Sequence, residues 1–295
     1  MNIFRLPAWI NPHLYPQKKF NDLTSAEIEE LKGRLQKFSS DSPDVSVMIP
    51  AWNEENNIFR TLSSLASNET ELKVEIVVIN NNSTDNTQKV LDELGVKNYL
   101  QPLQGTPYAR QLGLTMAKGK YHLCADSDSF YPKKWIDLMC KPLMADDNVV
   151  GVYGRYSFVP PAHGDNRFSW FIYEKITGLL VRLRKRKREH INFLGFNMGF
   201  ITAVGLNNGG FIVKEVRKFD NAIGSDYFVD EAEDGRMAVN LKKTGQLSLV
   251  TDPRARVYTS TRRIVAEGGL FTAFKNRLLL HSGRFKEYFK GKEVD

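Results

Sequence analysis

The chain has 295 residues, a formal net charge of +7, and 42% hydrophobic and 25% charged residues. These are the proportions of an ordinary globular protein, long enough for one large core or two smaller ones. Only two cysteines occur, Cys124 and Cys140, without metal-type spacing, which argues against a disulfide scaffold or a zinc site and fits a reducing compartment. The positive balance points to an anionic ligand or surface without saying which.

Residues 1–43 form an arm and linker. Met1-Asn2-Ile3-Phe4-Arg5 has no apolar leader region, so no signal peptide is expected. Thr24 and Glu27 have capping-box spacing, which predicts a helix over Ala26 to Phe38 with Ile28, Leu31 and Leu35 on one stripe. Ser39-Ser40-Asp41-Ser42-Pro43 reads as a linker.

Residues 44–160 alternate strand and helix. Val45-Ser46-Val47-Met48-Ile49 predicts a strand stopped by Pro50, followed by a helix from Glu54 to Leu65. Val74 to Ile79 predicts the second strand, Asp85 to Leu94 a helix, and Tyr99 a short strand. Pro107 to Ala117 is again helical, with proline suited to a first turn. The strand Tyr121-His122-Leu123-Cys124-Ala125 then ends in Asp126-Ser127-Asp128, and Val149 to Tyr153 predicts another. This is the rhythm of an α/β fold with a mostly parallel sheet flanked by helices. Ligands of such sheets bind beyond the carboxyl ends of the strands. Here those ends are Pro50 to Glu54, Asn80 to Asp85, and Asp126 to Asp128, all rich in polar side chains.

Two carboxylates one residue apart at a buried strand end are tolerable if a cation sits between them. Oxygen ligands of this kind suit Mg²⁺ or Mn²⁺ bridging to phosphates. A polar turn after a strand explains the same residues without a metal. No G-x-G-x-x-G or P-loop pattern is present, so phosphates would be held by a metal, by Arg or Lys, and by helix N-termini.

Val45 to Glu55, Ile79 to Asp85, Gly105, Ala109-Arg110, Gly113-Leu114, Gly119-Lys120-Tyr121 leading to the D-x-D, Glu233-Asp234 and Gly245 together resemble the inverting family 2 glycosyltransferases of GT-A fold. The resemblance spans about Val45 to Arg263. It implies a nucleotide-sugar donor, a UDP- or GDP-sugar, held by Pro50, Ala51, Asn53, Glu54, Asn80, Asn82, Asp85, Arg110, Asp126 and Ser127. Asp128 would hold Mn²⁺ or Mg²⁺ on the diphosphate, and Asp234 would be the catalytic base. Members usually carry aspartate at the position of Asn80 and often of Asn81, so the base contact is blurred. Val257-Tyr258 stands where many members place a metal-binding histidine.

An inverting transfer needs a carboxylate to take the proton of the attacking hydroxyl, and positive charge on the departing diphosphate. Glu233-Asp234 can supply the first, and Asp126-Ser127-Asp128 is the second carboxylate site, which would hold the metal that brings the positive charge. Glu233 would orient acceptor or donor hydroxyls. Acids at a helix start are also favoured by the macrodipole alone.

Residues 161–269 read as the acceptor-binding and catalytic half. Phe168 begins an aromatic helix reaching Leu183, and Arg182 to Arg188 holds six basic residues in seven, which suits a solvated face, anionic lipid or nucleic acid. Ile191 to Val213 is uncharged, but its five glycines and four asparagines make a membrane span a poor reading. Gly195-Phe196-Asn197 and Gly209-Gly210-Phe211 resemble the family's acceptor segment, which nominates Asn197 and Gly210. Arg262 and Arg263, after a strand near Ala255 to Tyr258, suit closure over a diphosphate, or are surface charges. Residues 270–295 form an amphipathic tail.

The sequence therefore predicts a metal-dependent transferase acting on a glycan, lipid-linked or small-molecule acceptor, cytoplasmic or peripheral at the inner face of a membrane, with no nucleic-acid partner. The rivals are a nucleotide-sugar-binding or other nucleotidyl protein on the same sheet, and a basic membrane or nucleic-acid module centred on Arg182 to Arg188.

Overall fold

The computed structural model describes residues 6–16, 18–160, 167–184, 189–213 and 233–266, together with 268, 269, 272 and 275. Lys185 to Arg188, most of the tail after residue 269, and the start of the acidic cluster at Asp230-Glu231-Ala232 lie outside the described residues.

The strands are β1 (Val45–Ala51), β2 (Val74–Asn80), β3 (Lys97–Leu100), β4 (Tyr121–Cys124), β5 (Ser129–Phe130), β6 (Val149–Gly154), β7 (Tyr156–Val159), β8 (Met198–Ile201), β9 (Gln246–Val250) and β10 (Val257–Ser260). The helices are α1 (Asn11–Leu14), α2 (Ser25–Gln36), α3 (Ile58–Leu65), α4 (Thr87–Leu94), α5 (Thr106–Met116), α6 (Trp135–Ala145), α7 (Arg167–Arg184), α8 (Thr202–Asn207), α9 (Glu233–Leu241) and α10 (Arg262–Ala266). Seven strands form one sheet in the order β3-β2-β1-β4-β8-β6-β9, and a small sheet has the order β5-β10-β7. In the large sheet only β8 runs antiparallel to its neighbours β4 and β6.

Near-continuous apolar runs are the signature of strands covered on both faces, and β1, β2 and β4 follow it apart from the buried Ser46, Glu75 and His122. Val45, Val47 and Ile49 of β1 pack with Val74, Ile76 and Val78 of β2 under Leu62 and Leu65 of α3, Leu91 of α4 and Met139 of α6. Met48, Val77 and Ile79 face the other way, against Ala109 of α5. The chain thus walks outward from β1 to β2 to β3 with α3 and α4 on one face, then returns to β4 with α5 on the other. The direction reverses between β1 and β4, and such a switch point opens a crevice at the strand ends.

Several boundaries differ from the sequence reading for local reasons. Pro50 does not stop β1, which pairs with β2 through Pro50↔Ile79 and Ala51↔Asn80. The ladder to β4 ends at Met48, so the missing N–H of proline falls where one side is no longer paired. Helix α3 starts at Ile58 instead of Glu54, because Asn53 adopts a left-handed φ of 54° and the chain turns through 54–57 before the first helical residue. The capping box at α2 is present, with Glu27 N–H donating to Thr24 Oγ1 at 3.3 Å and Thr24 N–H to Glu27 Oε2 at 2.8 Å. β8 occupies the glycine-rich stretch that carried no strand signal. Gly199 lies there because an added Cβ would stand 2.4 Å from a methyl of Leu123 on β4.

Among the described residues no helix is long and apolar enough to cross a membrane.

Candidate active site at the ends of β1 and β4

The loops after β1 and β2 are sewn together by their own polar side chains. Asn53 Oδ1 accepts from Thr84 N–H at 2.8 Å, and Asn53 N–H donates to Ser83 Oγ at 3.0 Å. Asp85 accepts from Glu55 N–H at 3.1 Å through Oδ2 and from Thr87 N–H at 2.9 Å through Oδ1. Glu54 N–H in turn donates to Thr87 Oγ1 at 2.8 Å. Asp85 therefore satisfies backbone donors near the starts of α3 and α4, the service a capping carboxylate gives. Asn80 is buried, with Oδ1 accepting from Ser83 N–H at 3.0 Å and Nδ2 donating to Gln88 Oε1 at 2.8 Å. Asn81 ties the next loop, accepting from Gly105 N–H at 2.8 Å and donating to Leu103 O at 2.7 Å. Pro50, Ala51 and Asn82 line the same strand ends, Asn82 exposed at a left-handed φ of 59°.

At the end of β4 the buried guanidinium of Arg110, on α5, gathers the acidic groups. Its Nη2 donates to Asp126 Oδ1 at 2.8 Å, its Nη1 donates to Gly195 O at 3.1 Å, and its Nε lies 3.4 Å from Glu233 Oε1. Burial opposes the charge on Arg110, but Asp126 and then Glu233 and Asp234 carry its pKa above the ordinary arginine value. A buried charge needs such partners. Gly195 also donates its N–H to Asp234 Oδ2 at 3.0 Å, and Gly235 N–H donates to Asp234 Oδ1 at 2.8 Å. Asp234 sits in the first turn of α9, where the macrodipole favours a negative charge. One guanidinium and one glycine peptide thus connect Asp126 to Glu233 and Asp234.

Tyr131 fixes the turn that follows β4. Its hydroxyl accepts from Asp126 N–H at 2.8 Å and donates to Phe196 O at 3.0 Å. Burial raises its pKa well above the usual tyrosine value, which keeps that donating proton in place.

Asp128 faces a different cation. Arg262, at the start of α10, donates to Asp128 Oδ2 from Nη2 at 2.9 Å and from Nε at 3.3 Å, and its Nη2 also donates to Glu54 Oε1. Glu54 Oε2 accepts from Asn57 Nδ2 at 2.8 Å. Burial, with a contribution from Asp128, pushes the Glu54 carboxyl up to about 7 despite the arginine. Burial opposes the Arg262 charge, yet Asp128 and Glu54 raise its pKa above the ordinary value. A cavity of about 430 Å³ opens beside this triad, lined in part by Arg60, Asp128, Ser260 and Arg262.

The two acceptor candidates have structural duties. Asn197 is 1% exposed; its Oδ1 accepts from Trp135 Nε1 at 2.9 Å and its Nδ2 donates to Arg155 O at 2.9 Å. The amide oxygen and one amide N–H are thus committed inside the protein. Gly210 holds a φ of 60°, and a Cβ there would stand 2.2 Å from Gln111 Oε1, the atom that accepts from Phe211 N–H at 2.8 Å. Ser127 is buried between the two aspartates. Arg263 lies in α10, its side chain outside the described residues; Arg262 reaches the D-x-D. Tyr131 carried no signal in the sequence, and Gly195 was marked only as part of the glycine-rich segment, not for its link between Arg110 and Asp234.

A sequence profile described as Glycosyl transferase family 2 matches residues 46–204, more than half of the chain, and takes in β1, the strand-end loops and the D-x-D. The chain belongs to glycosyl transferase family 2. Chondroitin synthase of Pasteurella multocida strain Pm70 and hyaluronan synthase of Pasteurella multocida are each 30% identical over 203 residues, 66% of this family 2 chain and 19% of their own length. The chain therefore spans about a fifth of those relatives. In structure it is similar to Staphylococcus aureus TarS 1–349 in complex with UDP, with a TM-score of 0.53 and 19% identity over 74% of this chain and 60% of TarS. It is also similar to the mannosyltransferase PcManGT from Pyrobaculum calidifontis in complex with GDP-Man and Mn²⁺, with a TM-score of 0.52 and 19% identity over 78% and 62% of the two chains. The fold is the GT-A fold these glycosyltransferases share.

Proposed function

We propose that this family 2 glycosyltransferase moves a sugar from a nucleotide-sugar donor to an acceptor hydroxyl with inversion, using Asp234 as the base. The observation that carries the reading is the Arg110 link, which runs from Asp126 to Glu233 and, through Gly195, to Asp234. A displacement reaction requires a group that holds the donor and a group that deprotonates the attacker to keep a fixed separation. A rigid, buried guanidinium between them meets that requirement. Support for the donor class comes from the similar structures, in which TarS holds UDP and PcManGT holds GDP-Man.

In this scheme the donor lies over the crevice between β1 and β4. Asp126, held by Arg110 and by the Tyr131 hydroxyl, orients the nucleoside. The loops through Asn53, Asn80 and Asp85 shape its walls. Asp234 Oδ atoms are aimed by Gly195 and Gly235 N–H groups, and the carboxylate takes the proton of the acceptor hydroxyl as that oxygen attacks the anomeric carbon from the face opposite the diphosphate. Glu233 balances the charge of Arg110 and thereby holds the α9 start in register. Arg262 is placed to donate to diphosphate oxygens as negative charge develops on them.

The residues also suit a divalent cation. Mg²⁺ and Mn²⁺ at such sites use one or two carboxylates together with substrate phosphates, and the D-x-D offers Asp128. Among the described residues no group of three or more His, Cys, Asp or Glu forms a ready-made cage, so the donor would complete the shell. The ion would supply charge neutralisation for the departing nucleoside diphosphate, with PcManGT and its Mn²⁺ as the supporting parallel.

The test is a panel of UDP- and GDP-sugars scored by nucleoside diphosphate release, with and without Mn²⁺ or Mg²⁺. Release with at least one donor, lost on chelation, is expected. Donor binding without release to any acceptor would contradict transfer, and undiminished release after chelation would contradict the role of Asp128.

A further inference from the structure

Arg262 stands where a cation on the D-x-D would have to stand. Its guanidinium places two nitrogens on the same oxygen, Asp128 Oδ2, at 2.9 and 3.3 Å. The same guanidinium reaches Glu54, whose side chain is only 8% exposed. Two carboxylates meeting in a partly buried corner repel unless a positive charge lies between them. One such charge suffices, and a second cation at Asp128 would sit within a few ångströms of the first.

A guanidinium and a divalent ion are therefore alternatives at Asp128 in the donor-free protein. The balance changes when a diphosphate enters. Its oxygens give the arginine a second planar partner, of the kind Arg binds through paired N–H bonds, and release Asp128 for the ion. Arg262 is half-exposed, with 52% of its side chain accessible, and belongs to a five-residue helix. Neither feature locks it in place.

From this we propose that Arg262 is the resident counter-cation of Asp128 and Glu54 in the donor-free enzyme, excluding divalent metal from Asp128 until a nucleoside diphosphate draws the guanidinium away. Metal and donor then bind cooperatively, each raising the affinity for the other by the same factor. The inference rests on the reading of Asp128 as the metal-holding residue, and the test separates the two.

Mn²⁺ binding to the full chain is followed by the loss of free-ion paramagnetic resonance signal, without donor and with saturating UDP or GDP, the loss caused by the same nucleotide without protein being subtracted. Circular dichroism and thermal melting establish that each variant is folded. For the wild type, weak binding that tightens by about tenfold or more on adding nucleoside diphosphate is expected, as coupling energies between sites usually allow. Arg262→Gln should bind Mn²⁺ about tenfold more tightly than wild type in the absence of nucleotide, and show a smaller gain when nucleotide is added. The double variant Asp128→Asn, Arg262→Gln should lose that gain. If Arg262→Gln leaves donor-free affinity unchanged while Asp128→Asn abolishes the nucleotide-assisted binding, the exclusion by Arg262 is overturned and the role of Asp128 stands. If the double variant binds as tightly as Arg262→Gln alone, Asp128 is not the ligand and both fall.

Discussion

An added Cβ at Gly195 would stand 2.1 Å from Arg110 Nη2 and 2.5 Å from its Cζ, so no other residue fits without moving the guanidinium. The same glycine accepts from Arg110 through its carbonyl and donates to Asp234 through its N–H, so any shift would reach both the partner of Asp126 and the proposed base. Gly195→Ala is expected to lower transfer by about 100-fold or more, the penalty of an ångström-scale misplacement. It should also cost about 1–3 kcal/mol of stability from overpacking. Turnover and a denaturant melt on the same preparation check this. Activity within a few-fold of wild type would mean that Arg110 does not set the geometry. Asp85 illustrates the opposite case: its carboxylate is committed to Glu55 and Thr87 N–H groups, so its effect on donor binding would pass through the shape of the loops.

Among the elements, β4 is the one on which the switch point depends. It pairs with β1 on one side and with β8 on the other, and it carries His122 into the core. The ring is 1% exposed and stacks on Phe200 of β8 at 4.7 Å between centroids. Burial, aided by Arg110, lowers its pKa to about 3. In the unfolded chain a histidine takes up a proton near pH 6.5. Between that pH and about 3 only the unfolded state binds it, so stability falls as the pH drops through this window, by about 1.4 kcal/mol per pH unit. His122→Phe, which keeps an aromatic ring over Phe200, should remove that share of the decline between pH 6.5 and 5. His13, held down to about 4 by burial and then by Arg34 and Lys133, continues to contribute. Urea unfolding at the two pH values measures the slope, and an unchanged slope would contradict a neutral buried His122.

The same elements show what a sequence can and cannot reveal. β1, β2 and β4 are legible because burial on both faces writes a mostly apolar run, broken in each by one buried polar residue, Ser46, Glu75 and His122, and their polar ends are legible because only a ligand site or a turn keeps such residues there. β8 is not, since Met198-Gly199-Phe200-Ile201 becomes a strand only when β4 and β6 lie on either side. The link from Arg110 to Gly195 joins residues 85 apart in the chain, and no spacing rule encodes it. The contacts of the Asn197 amide with Trp135 and Arg155 are likewise tertiary. Arg262 reaches Asp128 and Glu54 across 134 and 208 residues of chain, which no spacing rule encodes either.

At the scale of the whole molecule, the reversal of direction between β1 and β4 creates the crevice, and the charges around it suit an anionic donor. The net charge is +7, and the two arginines that matter most, Arg110 and Arg262, are held firmly ionised by their carboxylate partners. The acidic start of α9 faces the D-x-D across Arg110, the arrangement that the proposed division into a donor side and an acceptor side requires. The most direct measurement of that division is the turnover of Asp234→Asn, a variant that keeps the shape of the side chain and an oxygen for the Gly195 N–H. With donor binding and thermal stability preserved, sugar transfer is expected to fall by about 10²- to 10⁴-fold, the range a general base contributes. Turnover equal to wild type would contradict the account.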